Sequence, residues 1–405
     1  MLSYKVMIKI KEHLKRIQRK IPLFLPLLLT ISIFAAPLKV NAQTSFPAVE
    51  GFGFGGRIST WDDRANITIH AAAALGLDWV GVDIDWAEIW PESGASANIK
   101  SLDEVFSSAQ ELGIRCLVSI TNPPEWAMRK TGPDPDITAG FVAQLVRLYP
   151  NQVSAVELFP RANTTVGWNT TPNPQAYLEI YKKTSATLHE INPNILLIAG
   201  GLVPINGSDD SSQVNDLEFL QKLYDAGAKE LIPVISLRLS GISGLPIDEP
   251  GAEKSIVFRH YESIRSVMIE NGHEGGVIWI TGFSWPSDPP DVPTPENDAV
   301  NPSAPNAETQ ARWFAQAYQL VRSQLYIGVV FHSCLEENTN GFSETRAEDC
   351  LIEISPNKTS LHPAANILVQ LNNAQGVTSG SKSAFQMVKK IHNPLYKYNL
   401  KTGVQ

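Results

Sequence analysis

Residues 153–168 read VSAVELFPRANTTVGW. The first half is nearly continuously apolar and the second half is polar and open. A strand that is apolar on both faces belongs to a parallel sheet covered on both sides, because only there do both faces lie out of water. The polar half begins where such a strand leaves the sheet, and it sets Arg161 at the strand's mouth. Whether that strand belongs to a barrel or to an open sheet depends on the rest of the chain.

Runs of the same kind recur along the sequence. Strands are predicted at Glu50–Phe54, Trp79–Ile84, Arg115–Ile120, Val153–Phe159, Ile195–Ala199, Ile232–Leu237, Gly276–Thr281 and Tyr326–Phe331. Amphipathic stretches follow them. Pro174–Ile191 and Glu308–Ser323 have the clearest apolar spacing of three and four residues, the signature of a helix with one buried face. Further helices are predicted at Ala65–Leu75, Ser101–Leu112, Ile137–Leu148, Asp216–Ala226, Ala252–Asn271 and His362–Leu371. Eight strand–helix units over about 330 residues predict an α/β fold, a single-domain (β/α)8 TIM barrel with enlarged loops. A doubly wound open sheet is the competitor, but it calls for a phosphate-binding glycine turn after its first strand. The glycine-rich GFGFGG at 51–56 is followed by Arg57 and a polar turn, not by a helix start.

Residues 1–42 stand apart from this pattern. Residues 1–20 hold seven Lys or Arg, Ile21–Leu38 carries no charge, and Val40-Asn41-Ala42 offers small side chains for cleavage. That is the pattern of a secretory signal peptide, with an uncleaved membrane anchor as the alternative. The expected organisation is therefore a signal peptide at 1–42, a barrel at 43–373 and a polar basic tail at 374–405, the body lying outside the cytoplasm. Losing eight basic and one acidic side chains takes the net charge from −8 to −15. So acidic a body argues against nucleic acid or an anionic membrane as partner, beyond the N-terminal anchor itself. Cys334 and Cys350 flank a polar loop and would close it in an oxidising compartment, with free thiols as the alternative; Cys116 reads as a buried apolar residue. No Cys or His spacing matches a metal site, and no cofactor is expected. Ser284–Glu308, rich in proline and acids, reads as a long loop on the active face. Asn66, Asn163, Asn169, Asn206 and Asn357 open N-x-Ser/Thr triplets, which matter only in a host that glycosylates them.

In a (β/α)8 barrel chemistry gathers at the carboxyl ends of the strands. Those ends carry Asp83, Asp85, Trp86, Glu88, Trp90, Asn122, Trp126, Arg161, Asn163, Trp168, Arg238, Thr281, Gly282, Trp285, His332 and Glu336. Five of the nine tryptophans fall on that face. Indole rings stack on the apolar faces of sugars while Asp, Asn and Arg take hydroxyls, so the set predicts a carbohydrate cleft. Any single Trp among them is also explained as packing of the barrel rim. The candidate binding residues are Asp83, Asp85, Trp86, Asn122, Trp126, Arg161, Asn163, Trp168, Arg238, Trp285 and His332.

Over residues 48–371 the chain resembles clan A glycoside hydrolases, above all the β-xylosidase and cellulase-like branch of families thirty-nine and five. GLDWVGVDIDWAEIWP, GIRCLVSITNPPEWA, VELFPRANTTVGWNTTPNPQAYLEIYKKTSATLHEINPNILLIAGGL, GGVIWITGFSWPS and ARWFAQAYQLVRSQLYIGVVFHS carry the resemblance. It implies a Trp-Glu-x-Trp-Asn-Glu-Pro-Asn ending on the fourth strand, whose second Glu is the acid/base, and a Thr-Glu-x-Gly ending on the seventh, whose Glu is the nucleophile. Here Arg161 and Gly282 stand at those two positions. The resemblance also implies an Arg where Gly81 stands, a His where Arg238 stands, and a Trp where the eighth strand reads Phe-His-Ser. Retaining hydrolysis needs two carboxyl groups roughly 5 Å apart. Arginine stays protonated and glycine has no side chain, so neither replaces a carboxyl. Strand alternation sets residues 157, 159 and 161 on one face and Glu157 roughly 13 Å below the mouth, at about 3.3 Å per residue, as a structural carboxylate paired with Arg238. The reading is a secreted, non-catalytic barrel that binds an oligo- or polysaccharide, neutral or acidic. The alternatives are an active glycosidase using Asp83, Asp85, Glu88 or Glu336, and a protein-interaction barrel without a ligand.

Overall fold

The structure, a computed structural model, describes residues 51–58, 64–98, 102–205, 212–239, 242–251, 256–285, 306–336, 349–355 and 358–374. The proposed signal peptide, the basic tail and most of the 284–308 loop lie outside those residues. Eight strands, β1 (Gly53–Ile58), β2 (Trp79–Asp85), β3 (Arg115–Thr121), β4 (Val153–Leu158), β5 (Leu196–Leu202), β6 (Val234–Leu239), β7 (Val277–Phe283) and β8 (Ile327–His332), are hydrogen-bonded in sequence order, all parallel. β1 also pairs with β8, with Gly53 beside Val329 and Gly56 beside His332, which closes the barrel. Together with their helices they form the (β/α)8 TIM barrel that the spacing of apolar runs predicts.

The helices are α1 (Ala65–Ala74), α2 (Asp103–Glu111), α3 (Pro135–Leu148), α4 (Pro174–Ile191), α5 (Asp216–Asp225), α6 (Tyr261–Glu270), α7 (Ala307–Arg322) and α8 (Pro363–Ala374). Several begin where a short polar side chain caps the first amides. Asp134 accepts from Asp136 and Ile137, Asn173 from Ala176, Asn215 from Leu217 and Glu218, and Asn306 from Thr309. Proline follows the cap in α3 and α4, where its missing N–H costs nothing. The stretch predicted as one helix over 252–271 is helical from Tyr261, after a 3-10 turn at Phe258–His260. One antiparallel hairpin, β9 (Ile352–Ser355) with β10 (Lys358–Leu361), has no counterpart in the sequence reading. The Cys334–Cys350 disulfide ties the chain after β8 to the segment just before this hairpin, and Cys116 is buried.

Two layers of side chains fill the barrel. The lower layer is apolar and includes Trp79, Leu117, Ala155, Ile198, Val234, Trp279 and Phe331. Side chains alternate along a strand, so the next inward position on each strand lies two residues further up. There the residues are Gly81, Ser119, Glu157, Ser236 and Thr281, and the layer turns polar just below the mouth. Among the described residues no helix is long and apolar enough to cross a membrane.

Candidate functional site

Glu157 sits at the centre of the polar layer and is fully buried. Its Oε2 accepts from Ser119 Oγ at 2.6 Å and from Arg238 Nη2 at 3.3 Å, and its Oε1 accepts from Thr281 Oγ1 at 2.7 Å. The pairing with Arg238 expected from the sequence is present. Arg238 Nη2 also donates to Asp83 Oδ1 at 2.8 Å. Asp83 is gripped from its other side by Arg57, whose Nη2 and Nε reach its two oxygens. Arg57 further donates to the Thr281 carbonyl at 3.0 Å and to Ser119 Oγ at 3.2 Å. Four strands thus contribute Arg57, Asp83, Glu157 and Arg238 to one ionic network. Burial opposes ionisation of Asp83, but the guanidinium groups of Arg238 and Arg57 outweigh it and hold its carboxyl well below the usual range.

Arg57 was not among the residues singled out from the sequence. The sequence reading ends the first strand at Phe54, which leaves Arg57 beyond it. The structure extends β1 to Ile58, and the alternation Gly53, Gly55, Arg57 points the arginine into the lumen. It pairs in register with Gly81, and a Cβ on Gly81 would lie 3.0 Å from Arg57 Nη1. The arginine that the resemblance places on β2 is therefore supplied from the neighbouring strand, and Gly81 makes room for it.

β4 ends at Leu158, not Phe159, so residues 157, 159 and 161 do not form one extended face. Phe159 turns into the left-handed region (φ +47°), and its buried ring meets Trp168 edge-on at 5.8 Å. Arg161 is left-handed too (φ +66°), and its backbone N–H donates to Gly201 O at 2.8 Å. The chain folds back over β5 instead of climbing, so the depth inferred for Glu157 from strand rise does not apply. Arg161 is half-buried; burial first and the nearby Arg238 second pull its pKa down, with Asp83 opposing. Gly282 pairs with Arg238 across β6 and β7, and a Cβ there would meet Ser333 Oγ at 3.3 Å.

The tryptophans divide by burial. Trp86, Trp168 and Trp285 are closed to solvent: Trp86 stacks on Phe141 (4.6 Å, 10°), Trp168 Nε1 donates to Thr131 O, and Trp285 Nε1 donates to Gly244 O. They pack the rim and offer a sugar no face. Asn163 is also buried, donating to Val203 O and Val214 O while accepting from Val203 N–H. His332 lies among Phe283 and Phe314, 2.9 Å from the Cys334 carbonyl oxygen, and burial pushes its pKa down to about 4. These five residues, read from the sequence as ligand contacts, are structural here. Glu336 is buried, which removes it as a loop carboxylate recruited to the mouth.

A polar ladder remains at the rim. Asn122 donates to both oxygens of Asp85, and Asn169 donates to Asn122 Oδ1 at 3.3 Å and to Pro123 O at 3.2 Å. Asp85 also caps the one-turn helix Trp86–Ile89. Trp126 is half-buried, with Nε1 bonded to Trp90 O. The four left-handed non-glycine residues of the described chain, Asn122, Phe159, Arg161 and Asn169, all follow β3 or β4. Such strain persists where the surroundings over-determine a geometry, and it gathers at functional sites. Among the described residues no group of three or more His, Cys, Asp or Glu is placed to hold a metal ion.

No protein-family model matches the chain, and no curated protein matches it by sequence. Solved structures match the fold. A family 39 glycoside hydrolase from the gut symbiont Bacteroides cellulosilyticus WH2 aligns over 81% of this chain and 66% of its own, with 18% identity and a TM-score of 0.55. A family 1 β-glucosidase from Thermotoga maritima aligns over 77% and 86%, with 14% identity and a TM-score of 0.51. A glucosidase from Croceicoccus marinus aligns over 82% and 69%, with 12% identity and a TM-score of 0.53. The chain thus spans about two thirds of the length of the family 39 enzyme, and its eight-stranded parallel barrel has the fold of clan A glycoside hydrolases of families 39 and 1.

Proposed function

We propose that this chain is a secreted glycoside hydrolase-like barrel that binds carbohydrate at the barrel mouth without cleaving it. The observation that carries the reading is the state of the two carboxylates at the centre of the pit. Asp83 is clamped between Arg57 and Arg238, and Glu157 is fully buried against Arg238, Ser119 and Thr281. A general acid needs a proton to give and a nucleophile needs an open approach. Neither carboxylate has both a solvent face and freedom from a guanidinium. At the strand ends where the resemblance expects the two catalytic Glu residues, the chain carries Arg161 and Gly282. Secretion is supported by the charged and apolar pattern of residues 1–42 and is consistent with the Cys334–Cys350 disulfide.

Two measurements on the purified protein test this together. A glycan microarray is expected to register binding, and a panel of nitrophenyl glycosides is expected to release no nitrophenol above buffer. The paired substitution Arg161→Glu with Gly282→Glu then asks whether the scaffold still supports hydrolysis. The left-handed backbone at 161 costs glutamate no more than arginine, and the nearest atom to a new Cβ at 282 is the movable Ser333 Oγ. Measurable turnover is expected only in that double variant. Turnover by the unaltered chain, abolished by changing Asp83, Asp85 or Glu88, would establish an active glycosidase instead.

A further inference from the structure

The central pit is filled by its own ion pairs. Arg57 spends Nε, Nη1 and Nη2 on Asp83, Ser119 and the Thr281 carbonyl, and Glu157 has no solvent face. The rim formed by the loops after β2, β3 and β4 is different. Asp85 Oδ1 accepts from the Glu88 N–H at 2.9 Å, and both Asp85 oxygens accept from Asn122 Nδ2, at 3.0 and 2.9 Å. A carboxylate has room for about four donors, so Oδ2 keeps an open position on a partly exposed side chain. Asn169 is exposed, and its Nδ2 donates to Asn122 Oδ1 and Pro123 O. Its own Oδ1 receives no donor among the described residues.

Exposed amides ordinarily rotate freely, but these are held. Asn122 O accepts from the Ala87 N–H at 2.9 Å, the Asn169 N–H donates to Thr165 O at 2.8 Å, and both backbones are left-handed, at φ +44° and +57°. A group fixed before a ligand arrives loses little rotamer freedom on binding it. The open indole surface lies on the same loops. Among the described tryptophans that follow a strand, Trp86, Trp168 and Trp285 are closed, while Trp90 and Trp126 are half-buried. Those two meet edge-on at 5.1 Å, and Trp126 Nε1 is bonded to Trp90 O, which leaves the ring itself to offer.

Open acceptors call for donors. A sugar hydroxyl donates, whereas a uronate or sulfate group brings only acceptors and meets the charge of Asp85 and of the exposed Glu88. We infer that the carbohydrate held by this chain is neutral and is bound off-centre, on the β2–β3–β4 side of the mouth. Its hydroxyls donate to Asp85 Oδ2 and Asn169 Oδ1, and an apolar sugar surface lies against the open part of Trp126. This rests on the carbohydrate-binding reading above and narrows it to one side of the mouth and one class of sugar.

The test begins with an array that carries neutral, uronate and sulfated glycans, on which the full chain is expected to prefer a neutral one. Hydrogen exchange of the unaltered chain, with and without that glycan, then locates it. Slower exchange is expected in peptides covering residues 85–90, 122–126 and 167–170. Calorimetric titration of two variants follows. Asp85→Asn keeps a good helix cap, and Asn169→Gly keeps the left-handed backbone without strain. Each is expected to weaken the glycan by about tenfold, the loss of one hydrogen bond. The exchange measurement needs no variant, so it decides the location even where a substitution unfolds the chain. Protection confined to the loops after β6, β7 and β8, or full affinity in both variants, overturns the off-centre site and leaves the carbohydrate reading intact. Preference for uronate or sulfated glycans overturns the neutral class. Binding of no glycan overturns both readings.

Discussion

A carboxylate with no solvent contact survives only if its partners replace the water it has lost. Glu157 has Ser119, Thr281 and Arg238, all in direct hydrogen bonds. Removing one member of a buried ionic group leaves the other uncompensated, typically at about 3–5 kcal/mol, whereas removing both members costs much less. Glu157→Gln is therefore expected to lower unfolding free energy by about 3 kcal/mol, because Arg238 and Arg57 then share Asp83 alone. Glu157→Gln combined with Arg238→Gln is expected to cost less than the sum of the two single changes. Urea unfolding of the four proteins in the cycle measures this, and strict additivity would mean that the two side chains do not interact. At this scale the sequence was partly legible. Alternation on β4 points Glu157 inward, and Arg238, read just beyond the end of the sixth strand, is the partner the sequence suggests for it; the structure places Arg238 within β6. Arg57 was not legible, because a glycine-rich strand lacks the branched residues that mark a strand, and its end was misplaced. The buried tryptophans were ambiguous for a different reason: an indole at a strand end serves equally to stack on a sugar or to pack a rim, and only the burial of Trp86, Trp168 and Trp285 separates the two.

Among elements, the decisive feature is how β4 stops. Its last residue is Leu158, and Phe159, Pro160 and Arg161 then bend toward β5. That path is open only because Gly201 is glycine. Its φ is +49°, and a Cβ on it would stand 2.7 Å from the Pro160 Cα. Gly201→Ala must therefore meet both an unfavourable backbone and a collision with main chain. Gly113 has a similar φ of +69° but nothing within 4 Å of its would-be Cβ. Gly113→Ala is expected to cost about 1 kcal/mol, the conformational term alone. Gly201→Ala is expected to exceed it by 2 kcal/mol or more and to weaken glycan binding, since Arg161 N–H is bonded to Gly201 O. Chemical denaturation of the two variants side by side checks the difference; equal losses would show that β5 can yield. The order and kind of the barrel elements were legible because each unit pairs a continuously apolar run with an amphipathic one. Boundaries within a residue or two, as at Pro174–Ile191, were fixed by caps and prolines. The turn after β4 was not legible, because alternation carries no signal of where a strand ends when the following residues are also apolar, as Phe159 is. The β9–β10 hairpin was missed since its strands are four residues each, too short to show a period.

For the molecule as a whole, the barrel is shared with glycosidases that are only 12–18% identical to it, so the fold depends on the pattern of apolar runs and not on particular side chains. A structural histidine couples the whole fold to pH. His332 closes the C-terminal end of β8 against β1 and sits in an aromatic cage with Phe283 and Phe314. Burial lowers its pKa from the ordinary 6.5 to about 4, with the Cys334 carbonyl and Asp349 opposing. A histidine whose folded pKa is depressed binds its proton more readily when unfolded. Its contribution is therefore complete above pH 6.5 and is lost as pH falls toward 4, at a slope approaching 1.36 kcal/mol per pH unit. The total is on the order of 3 kcal/mol. Asp83, also depressed, acts in the same direction, but its loss comes only in much stronger acid, because Arg238 and Arg57 hold it ionised through this window. Thermal unfolding of the intact, disulfide-bonded chain is thus expected to show a steady midpoint above neutrality and a falling one from about pH 6.5 to 4. In His332→Gln the histidine's share of that fall should vanish, at the cost of a lower midpoint at neutral pH. If the variant keeps the same acid slope as the parent, the proton is taken up elsewhere and the imidazole in the cage is not what titrates.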